Sequence, residues 1–398
     1  MNQPARLSHR FAYRGAAPWR DVRVLRAVAQ LVSAVVVVSV LAFFVSNLLA
    51  AAEARGISLG FGFLNEAAGF DLGESVIDYD PSRSFSYAFA AGILNTLKVA
   101  LVGIVAATAL GILVGVARLS SNWLVSRLAG AYIEIIRNVP VLVQLFIWHF
   151  AVFQNLPGVR ESIELPGPIY LNNRGIYLAW ASPSPTFLPW LIFIAGGIAS
   201  AVVLWKTLSH FQLRTGRPMY PLTIAALTFF LIPTTGWFLV GESPLVPDIP
   251  VLGRFNFAGG LSLTANFGAL LVGLVVYTAS FIAEIVRAGI QSVQRGQAEA
   301  ARALGLTDLH TLRLVIFPQA LRVIIPPLIS QYLNLTKNSS LAIAIGYPDL
   351  FFIGKTTASQ AARAVPVFAL IMLAYLTVSL TYALIGNIYN RRVRLVER

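Results

Sequence analysis

Eight apolar stretches, each long enough to cross a lipid bilayer, dominate this sequence. A transmembrane helix needs about 20 mostly apolar residues. The stretches lie near 27–49, 92–116, 129–153, 187–205, 221–240, 262–286, 323–346 and 366–389. Only 12% of the residues are charged, which is about half the share found in ordinary soluble domains. The sequence therefore predicts an all-α polytopic membrane protein with about eight transmembrane helices.

The first stretch follows a basic segment, 1–26, and so has the order of charge and hydrophobicity of a signal peptide. Its apolar run is about twice as long as the apolar core of a signal peptide. We therefore expect an extra, uncleaved N-terminal span at 27–49.

The basic residues are distributed unevenly between the two sides of the membrane. With the N-terminus in the cytoplasm and alternating spans, the cytoplasmic segments contain 20 of the 30 Lys and Arg residues and the outer segments contain 7. The outer segments also carry 11 of the 17 Asp and Glu residues. Because Lys and Arg accumulate on the cytoplasmic side of membrane proteins, both termini are expected in the cytoplasm. This distribution explains the net charge of +13 without a nucleic-acid partner.

The sequence also argues against several kinds of chemistry. It contains no cysteine, which excludes disulfides and thiolate metal sites. The four histidines lack the spacing of a metal site, and no nucleophile–base set indicates a membrane enzyme. A Walker A motif is absent, so this chain does not bind ATP by that route. No cofactor is expected on it.

The longest internal cytoplasmic loop, 287–322, interrupts the apolar pattern with a polar, helix-forming sequence. The letters QAEAARAL are rich in strong helix formers. Gly305 follows where helices often end in a left-handed residue. Thr307 or Asp308 can cap a second helix, which we expect Pro318 to interrupt.

Ala300, Ala301 and Leu304 are expected to share one face of the first helix. Small apolar residues at this spacing suit docking into a partner's groove. An amphipathic connector at the membrane surface is the more common explanation of such a pattern, and the residues alone leave both explanations open.

The spacing of this loop resembles a known motif. The loop is similar to the EAA loop of ABC importer permeases, whose pattern is E-A-A-x3-G-x9-I-x-L-P. It matches that pattern at Glu299-Ala300-Ala301, at Gly305 after three further residues, and at 315–318 after nine more. Val and Phe replace the Ile and Leu of that pattern at 315 and 317. The segments 92–101, 132–150, 277–305 and 333–345 resemble the polar amino-acid (HisMQ-like) branch of these permeases.

The resemblance covers roughly 90–392, and an insertion at about 155–260 carries two extra spans. This expanded layout is similar to the Q-type permease subunit of general L-amino-acid importers. The resemblance implies a type I ABC importer fold in the core and ATP-driven uptake of polar or diverse L-amino acids by alternating access. The implied partners are a homologous second permease in a heterodimer, two ATPase subunits that hold ATP and Mg, and a periplasmic amino-acid-binding protein.

The resemblance also implies that part of the loop couples to the ATPase. The ATPase-coupling set comprises Gln297, Glu299, Ala300, Ala301, Leu304 and Gly305. The candidate translocation path comprises Gln144, Asn334, Lys337, Asn338 and Ser339. Lys337 is the clearest ionisable residue within a span, and such residues usually face protein or water. It can meet a substrate carboxylate or serve a structural role, and the sequence leaves these two alternatives open.

Two E-x-x-R pairs, Glu134 with Arg137 and Glu284 with Arg287, lie near the cytoplasmic ends of their spans. They can pair across helices as an inner gate, although local pairing at i, i+3 is the simpler interpretation. An ion-coupled secondary amino-acid transporter is the main alternative function. It would need intramembrane carboxylates, and only Glu134 and Glu284 qualify.

Overall fold

The computed structural model describes residues 22–54 and 59–393, and it confirms the helical membrane architecture. Among these residues, seven helices are long and apolar enough to span a membrane, or eight if one bent pair forms a single span. The first helices are α1 (Val22–Ala54), α2 (Phe85–Arg118), α3 (Trp123–Asn138), α4 (Val141–Phe146), α5 (Phe187–Thr215) and α6 (Pro221–Leu239). The remaining helices are α7 (Ala265–Gln291), α8 (Arg295–Ala303), α9 (Asp308–Thr311), α10 (Phe317–Asn338), α11 (Leu350–Gln360) and α12 (Ala364–Val393). The predicted basic N-terminus lies mostly outside the described residues.

The predicted span at 129–153 is bent into two helices. Helix α3 ends at Asn138, and α4 begins at Val141 after a turn of 103°. Proline cannot donate a backbone hydrogen bond and disfavours helical geometry in the residue before it. Val139, which precedes Pro140, accordingly has extended backbone angles, φ −97° and ψ 126°. A π-helical turn at Ile147–Val152 then continues α4.

A stripe of small residues brings α2 and α7 into close contact. Gly103, Ala107, Gly111 and Gly115 occur at every fourth position of α2, and all four are buried. A Cβ placed on Gly111 would lie 2.6 Å from the Cβ of Ile282 on α7. Small residues at this spacing let membrane helices approach closely, where van der Waals packing holds them together. The α2–α7 pair therefore forms the centre of the bundle.

The rest of the core packs around α7. The buried core side chains from α7 include Leu270, Leu274 and Ile282, and they cluster with Ile324 and Leu335 of α10. More than half of the most apolar window of α7 is buried, whereas the corresponding windows of α1, α5 and α12 contain almost no buried residues. Helix α7 is thus the buried helix of the bundle, and the other three present their apolar sides to surroundings outside the chain.

Eight short strands lie in the two loops that lead into and out of α5 and α6. Strands β1 (Ile163–Leu165), β2 (Ile169–Asn172), β3 (Gly175–Leu178) and β8 (Leu261–Thr264) form an antiparallel sheet in the order β1-β2-β3-β8. Strands β4 (Trp180–Pro183) and β5 (Leu245–Asp248) pair, as do β6 (Val251–Leu252) and β7 (Phe257–Ala258). The sequence did not predict these strands, since runs of two to four residues carry little periodicity. We call the end of the bundle that carries them the sheet end.

Helices α5 and α6, predicted as spans at 187–205 and 221–240, form a hairpin. The close approach depends on Gly236, where an added Cβ would lie 2.3 Å from the ring of Phe193. The indole N–H of Trp190 donates to the carbonyl of Pro233 at 2.9 Å, and its ring contacts that of Trp237 edge to face. Helices α5 and α6 therefore pack chiefly against each other.

Candidate coupling loop and membrane path

The candidate coupling loop is shorter than the predicted 287–322, because its first five residues belong to α7 and its last six to α10. Three residues separate the end of α7 from α8, and Gly305 follows α8 with a φ of +81°. The N–H of Leu306 donates to the carbonyl of Ala301 at 3.1 Å, which closes the helix end. Thr307 caps α9, its hydroxyl accepting from the N–H of His310. The expected helix, left-handed glycine turn and second helix are all confirmed.

The side chains of α8 do not share one apolar face as expected. Leu304 is 83% exposed and Ala301 is only 3% exposed. Glu299 and Ala300 are also exposed. Helix α8 packs against the π-helical turn Leu312–Ile316 of its own chain, and this contact takes up the side on which Ala301 lies. The expectation that Ala301 belongs to a free surface was therefore wrong, whereas Leu304 projects from the loop.

Gln297 points back toward the membrane helices rather than away from the chain. Its side-chain oxygen accepts from the amide of Gln319 at 3.3 Å. An ion pair between Arg302 and Asp308 at 3.0 Å joins the two sides of the glycine turn. Both side chains are largely exposed, so this ion pair contributes little to stability.

Pro318 does not interrupt the second helix, contrary to the expectation from sequence. The chain passes from α9 through the π-helical turn Leu312–Ile316 into α10, and Pro318 lies in the first turn of α10. Proline fits the first turn of a helix because the N–H that it lacks has no intrahelical partner there. The coupling loop is therefore continuous with the long helix α10.

The candidate path residues fall into two groups. Lys337 is exposed and lines a cavity of about 770 Å³ with Ser340 and with Tyr375 and Ser379 of α12. Asn334 is exposed and Asn338 half-buried on the same turns of α10. Within the part of the chain that the structure describes, Lys337 has no ion-pair partner. A charged group on a membrane helix needs water or protein around it, so this side of α10 is suited to face an aqueous path or a second subunit.

Gln144 and Ser339 make bonds within their own segments. The amide of Gln144 donates to the carbonyls of Ile136 and Val139 at 2.8 and 2.9 Å. These bonds replace helical hydrogen bonds that are lost at the break at Pro140. Ser339 is buried and donates to the carbonyl of Thr336 at 2.8 Å. Neither residue belongs to the lining of the cavity on which Lys337 lies.

The two E-x-x-R pairs behave differently. Arg287 donates to Glu284 through its Nε at 2.9 Å, which is the local i, i+3 pairing. Arg137 instead places its guanidinium 4.8 Å from the centre of the Phe281 ring on α7, and Glu134 is exposed. Among the described residues, no ion pair joins α3 to α7. The inner gate is thus not formed as a cross-helix ion pair in this conformation.

A polar cluster at the sheet end was missed by the sequence analysis. Lys98 of α2 forms an ion pair with Glu74 at 2.6 Å and lies 4.3 Å from the centre of the Phe267 ring. Glu74 also accepts from the hydroxyl of Thr264, which caps α7. The feature of the sequence that could have indicated this cluster was Lys98, a single lysine within a predicted span. Its partner lies in a loop 24 residues away, at a position that no local pattern specifies.

The Lys98–Glu74 ion pair yields a prediction for stability. Glu74→Gln should lower the free energy of unfolding by ~2 kcal/mol, because it leaves the partly buried Lys98 ammonium without its counter-charge. Thermal unfolding of the purified protein in detergent measures this effect. Asp80→Asn is the matched control, since Asp80 pairs with Arg83 where both side chains are about half exposed. Equal stability of the two variants would contradict a supporting role for the Lys98–Glu74 pair.

The chain is similar to known transport proteins over most of its length. The family described as "Binding-protein-dependent transport system inner membrane component" matches residues 107–395. The Escherichia coli (strain K12) protein YhdX, named as an amino-acid ABC transporter permease, is 44% identical over 395 residues, which cover 98% of this chain and 100% of YhdX. The general L-amino acid transport system permease protein AapQ of Rhizobium johnstonii is 45% identical over 343 residues, 85% of this chain and 84% of AapQ.

A third relative is the glutamate/glutamine/aspartate/asparagine transport system permease protein BztB of Rhodobacter capsulatus. It is 38% identical over 414 residues, which cover 95% of this chain and 96% of BztB. The alignments with YhdX and BztB span nearly the whole chain, so they include the α5–α6 hairpin and the strands as well as the core. The similarity to amino-acid permeases was expected from the segments 92–101, 132–150, 277–305 and 333–345.

Proposed function

The chain belongs to the family of binding-protein-dependent transport system inner membrane components, within its amino-acid ABC transporter permeases, and from this premise we propose that it is the permease subunit of an ATP-driven importer of L-amino acids. It is a multi-pass inner membrane protein and a transport subunit rather than an enzyme. The observation that carries the proposal is the exposed helix α8 with its glycine turn, placed directly after the most buried helix of the bundle.

The proposed assembly contains four kinds of protein. A homologous second permease completes the membrane pore, and two copies of an ATPase subunit supply the ATP and Mg site that this chain lacks. A periplasmic amino-acid-binding protein delivers the substrate. Both termini and helix α8 are proposed to lie in the cytoplasm, because the basic residues accumulate in the same segments.

The proposed coupling route runs through continuous helices. The ATPase receives the exposed side of α8, on which Glu299, Ala300 and Leu304 are available. Closure of the ATPase dimer moves α8 together with α7 and α10, which flank the loop in sequence. These two helices pack against each other, so a displacement of the loop reaches the middle of the bundle and switches it between inward- and outward-facing states.

Lys337 is proposed to contact the substrate carboxylate in the path. Lys337→Met should lower the initial rate of amino-acid uptake by about tenfold, the effect of losing one charge-assisted contact. Uptake into proteoliposomes with the complete transporter measures it, and Lys337→Arg should restore part of the rate because it keeps the charge. Lys355→Met, at an exposed lysine on α11, is the control. An unchanged rate in Lys337→Met would exclude Lys337 from substrate binding.

A crosslink between this chain and the ATPase tests the proposed function. The protein has no cysteine, so a single cysteine at Leu304 reports only that position. We expect a disulfide with a cysteine in the ATPase groove whose yield changes with ATP. Absence of the crosslink in membranes that retain uptake would overturn the proposed coupling.

Dependence on ATP also separates this function from ion-coupled secondary transport. Of the two carboxylates that the sequence placed within spans, Glu284 is paired with Arg287 and Glu134 is exposed. Neither forms an enclosed ion site. Uptake that persisted without ATP but collapsed with the proton or sodium gradient would favour the alternative.

A further inference from the structure

A basic cleft lies at the sheet end, in the segments that flank the α5–α6 hairpin. It has a volume of about 480 Å³ and is lined by Arg160, Arg174 and Arg254, with Glu161 as the one acid in its lining. We call it the arginine cleft. Arg160 follows the bent span, Arg174 lies in the turn between β2 and β3, and Arg254 lies in the turn between β6 and β7.

The clustering of these arginines is unusual for this side of the membrane. Basic residues are depleted from the outer segments of membrane proteins. The segments 154–186 and 241–261 contain only three Lys or Arg residues in all, and every one of them lines the arginine cleft. A scattered distribution would need no explanation, but three cations from three separate segments in one cleft point to an anionic ligand.

The three guanidinium groups are available to such a ligand. All three residues are exposed, and none of them forms an ion pair with another residue in the described ranges. Arg254 lies over the ring of the neighbouring Phe255, 5.2 Å from its centre. Guanidinium groups bind carboxylates through paired hydrogen bonds. The cleft therefore suits carboxylate groups.

The arginine cleft is attached to the start of α7. The N–H of Arg174 donates to the side-chain oxygen of Asn172 at 2.9 Å, and Asn172 is fully buried. The carbonyl of Arg174 accepts from the N–H of Ala265, the first residue of α7, at 3.0 Å. Helix α7 leads to α8 at its other end. A ligand held by the cleft is thus anchored to the helix that carries the coupling loop.

We propose that the arginine cleft is a docking site for acidic side chains on the surface of the periplasmic binding protein. This inference rests on the proposed function and adds the location and chemistry of one contact. The cleft is open and its arginines are exposed, so water and salt screen a small free anion. A protein that presents several carboxylates at once gains from all three arginines, and such charges chiefly set the rate and orientation of encounter. The family description itself specifies dependence on a binding protein.

The test uses the complete transporter in proteoliposomes and the amino-acid-binding protein that supports uptake by the wild-type chain. Changing Arg160, Arg174 and Arg254 together to Glu should raise the half-saturating concentration of binding protein by at least about tenfold. The maximal rate at saturating binding protein should be unchanged. Arg83→Glu, at an arginine that does not line the cleft, should have little effect. Because the three side chains are exposed, the thermal unfolding of the triple variant should match that of the wild type.

Ionic strength provides a second arm. Raising the salt from roughly 50 to roughly 300 mM should raise the half-saturating concentration of binding protein for the wild type. The same change should affect the triple variant much less. An unchanged half-saturating concentration in the triple variant would overturn the docking site while leaving the proposed function intact. If the variant instead altered only the concentration of free amino acid needed at saturating binding protein, the cleft would bind substrate and the inference would be wrong. Wild-type uptake without any binding protein would overturn the proposed function itself.

Discussion

Replacing Leu304 by aspartate is expected to abolish ATP-driven uptake, with a loss of at least about a hundredfold, while the permease stays folded in the membrane. A buried apolar contact and an unpaired charge in an interface each cost a few kcal/mol, and a hundredfold loss corresponds to ~2.7 kcal/mol. Leu304 is 83% exposed in the isolated chain, so the substitution removes little internal packing. The free energy lost in Leu304→Asp should therefore come from the contact with the ATPase.

The measurement is uptake in proteoliposomes, together with the ATPase activity of the complex and the yield of membrane-inserted permease. Leu213→Asp is the matched control, because Leu213 is 86% exposed near the end of α5 and outside the coupling loop. Normal transport by Leu304→Asp would exclude Leu304 from the docking surface. A loss of inserted protein would show that Leu304 supports the fold instead.

Ala301 is a less informative position for this purpose. At 3% exposure against its own chain, an aspartate there would place a charge inside the protein and destabilise the loop whether or not the ATPase binds. Gly305→Val acts in a third way. Its φ of +81° is strongly disfavoured for a β-branched residue, so it should disrupt the turn that positions α9 after α8.

Gly111→Val is expected to prevent stable packing of the bundle. Its new Cβ would lie 2.6 Å from both Cβ and Cγ2 of Ile282 and 3.1 Å from the carbonyl of Ala279. The α7 backbone and the branched side chain of Ile282 cannot move aside as easily as the end of a flexible side chain can. Overpacking of this kind costs ~1–3 kcal/mol or more, and we expect the upper part of that range.

The yield of monodisperse protein and its thermal unfolding in detergent measure the effect. Gly196→Val is the matched control, since Gly196 also lies in a membrane helix, α5, and an added Cβ there meets nothing within 4 Å. Both substitutions place valine in a helix, so intrinsic propensity cancels between them. Similar stability of the two variants would mean that α2 and α7 can separate without cost.

The sequence predicted the helices well because a bilayer requires about 20 apolar residues in each. The coupling loop was also predictable, since the left-handed turn at Gly305 follows from local chemistry. What could not be predicted depends on contacts between distant segments. The burial of Ala301 arises from packing on the turn at 312–316, and the partner of Lys98 comes from a loop. The bend at Pro140 had a local signal, the proline, but its size of 103° is set by tertiary packing.

The pairing of β3 with β8 bears on how this chain could have gained the segment between these two strands. Leu178 lies opposite Leu261 in the sheet, so the chain leaves the core and returns to it at neighbouring points about 5 Å apart. Everything from 179 to 260, including α5 and α6, lies between these two points. A short turn could join the two strands in its place. A single recombination event at the gene level would then suffice to gain or lose the whole segment, and the same position offers a natural site for splicing a reporter domain into the protein.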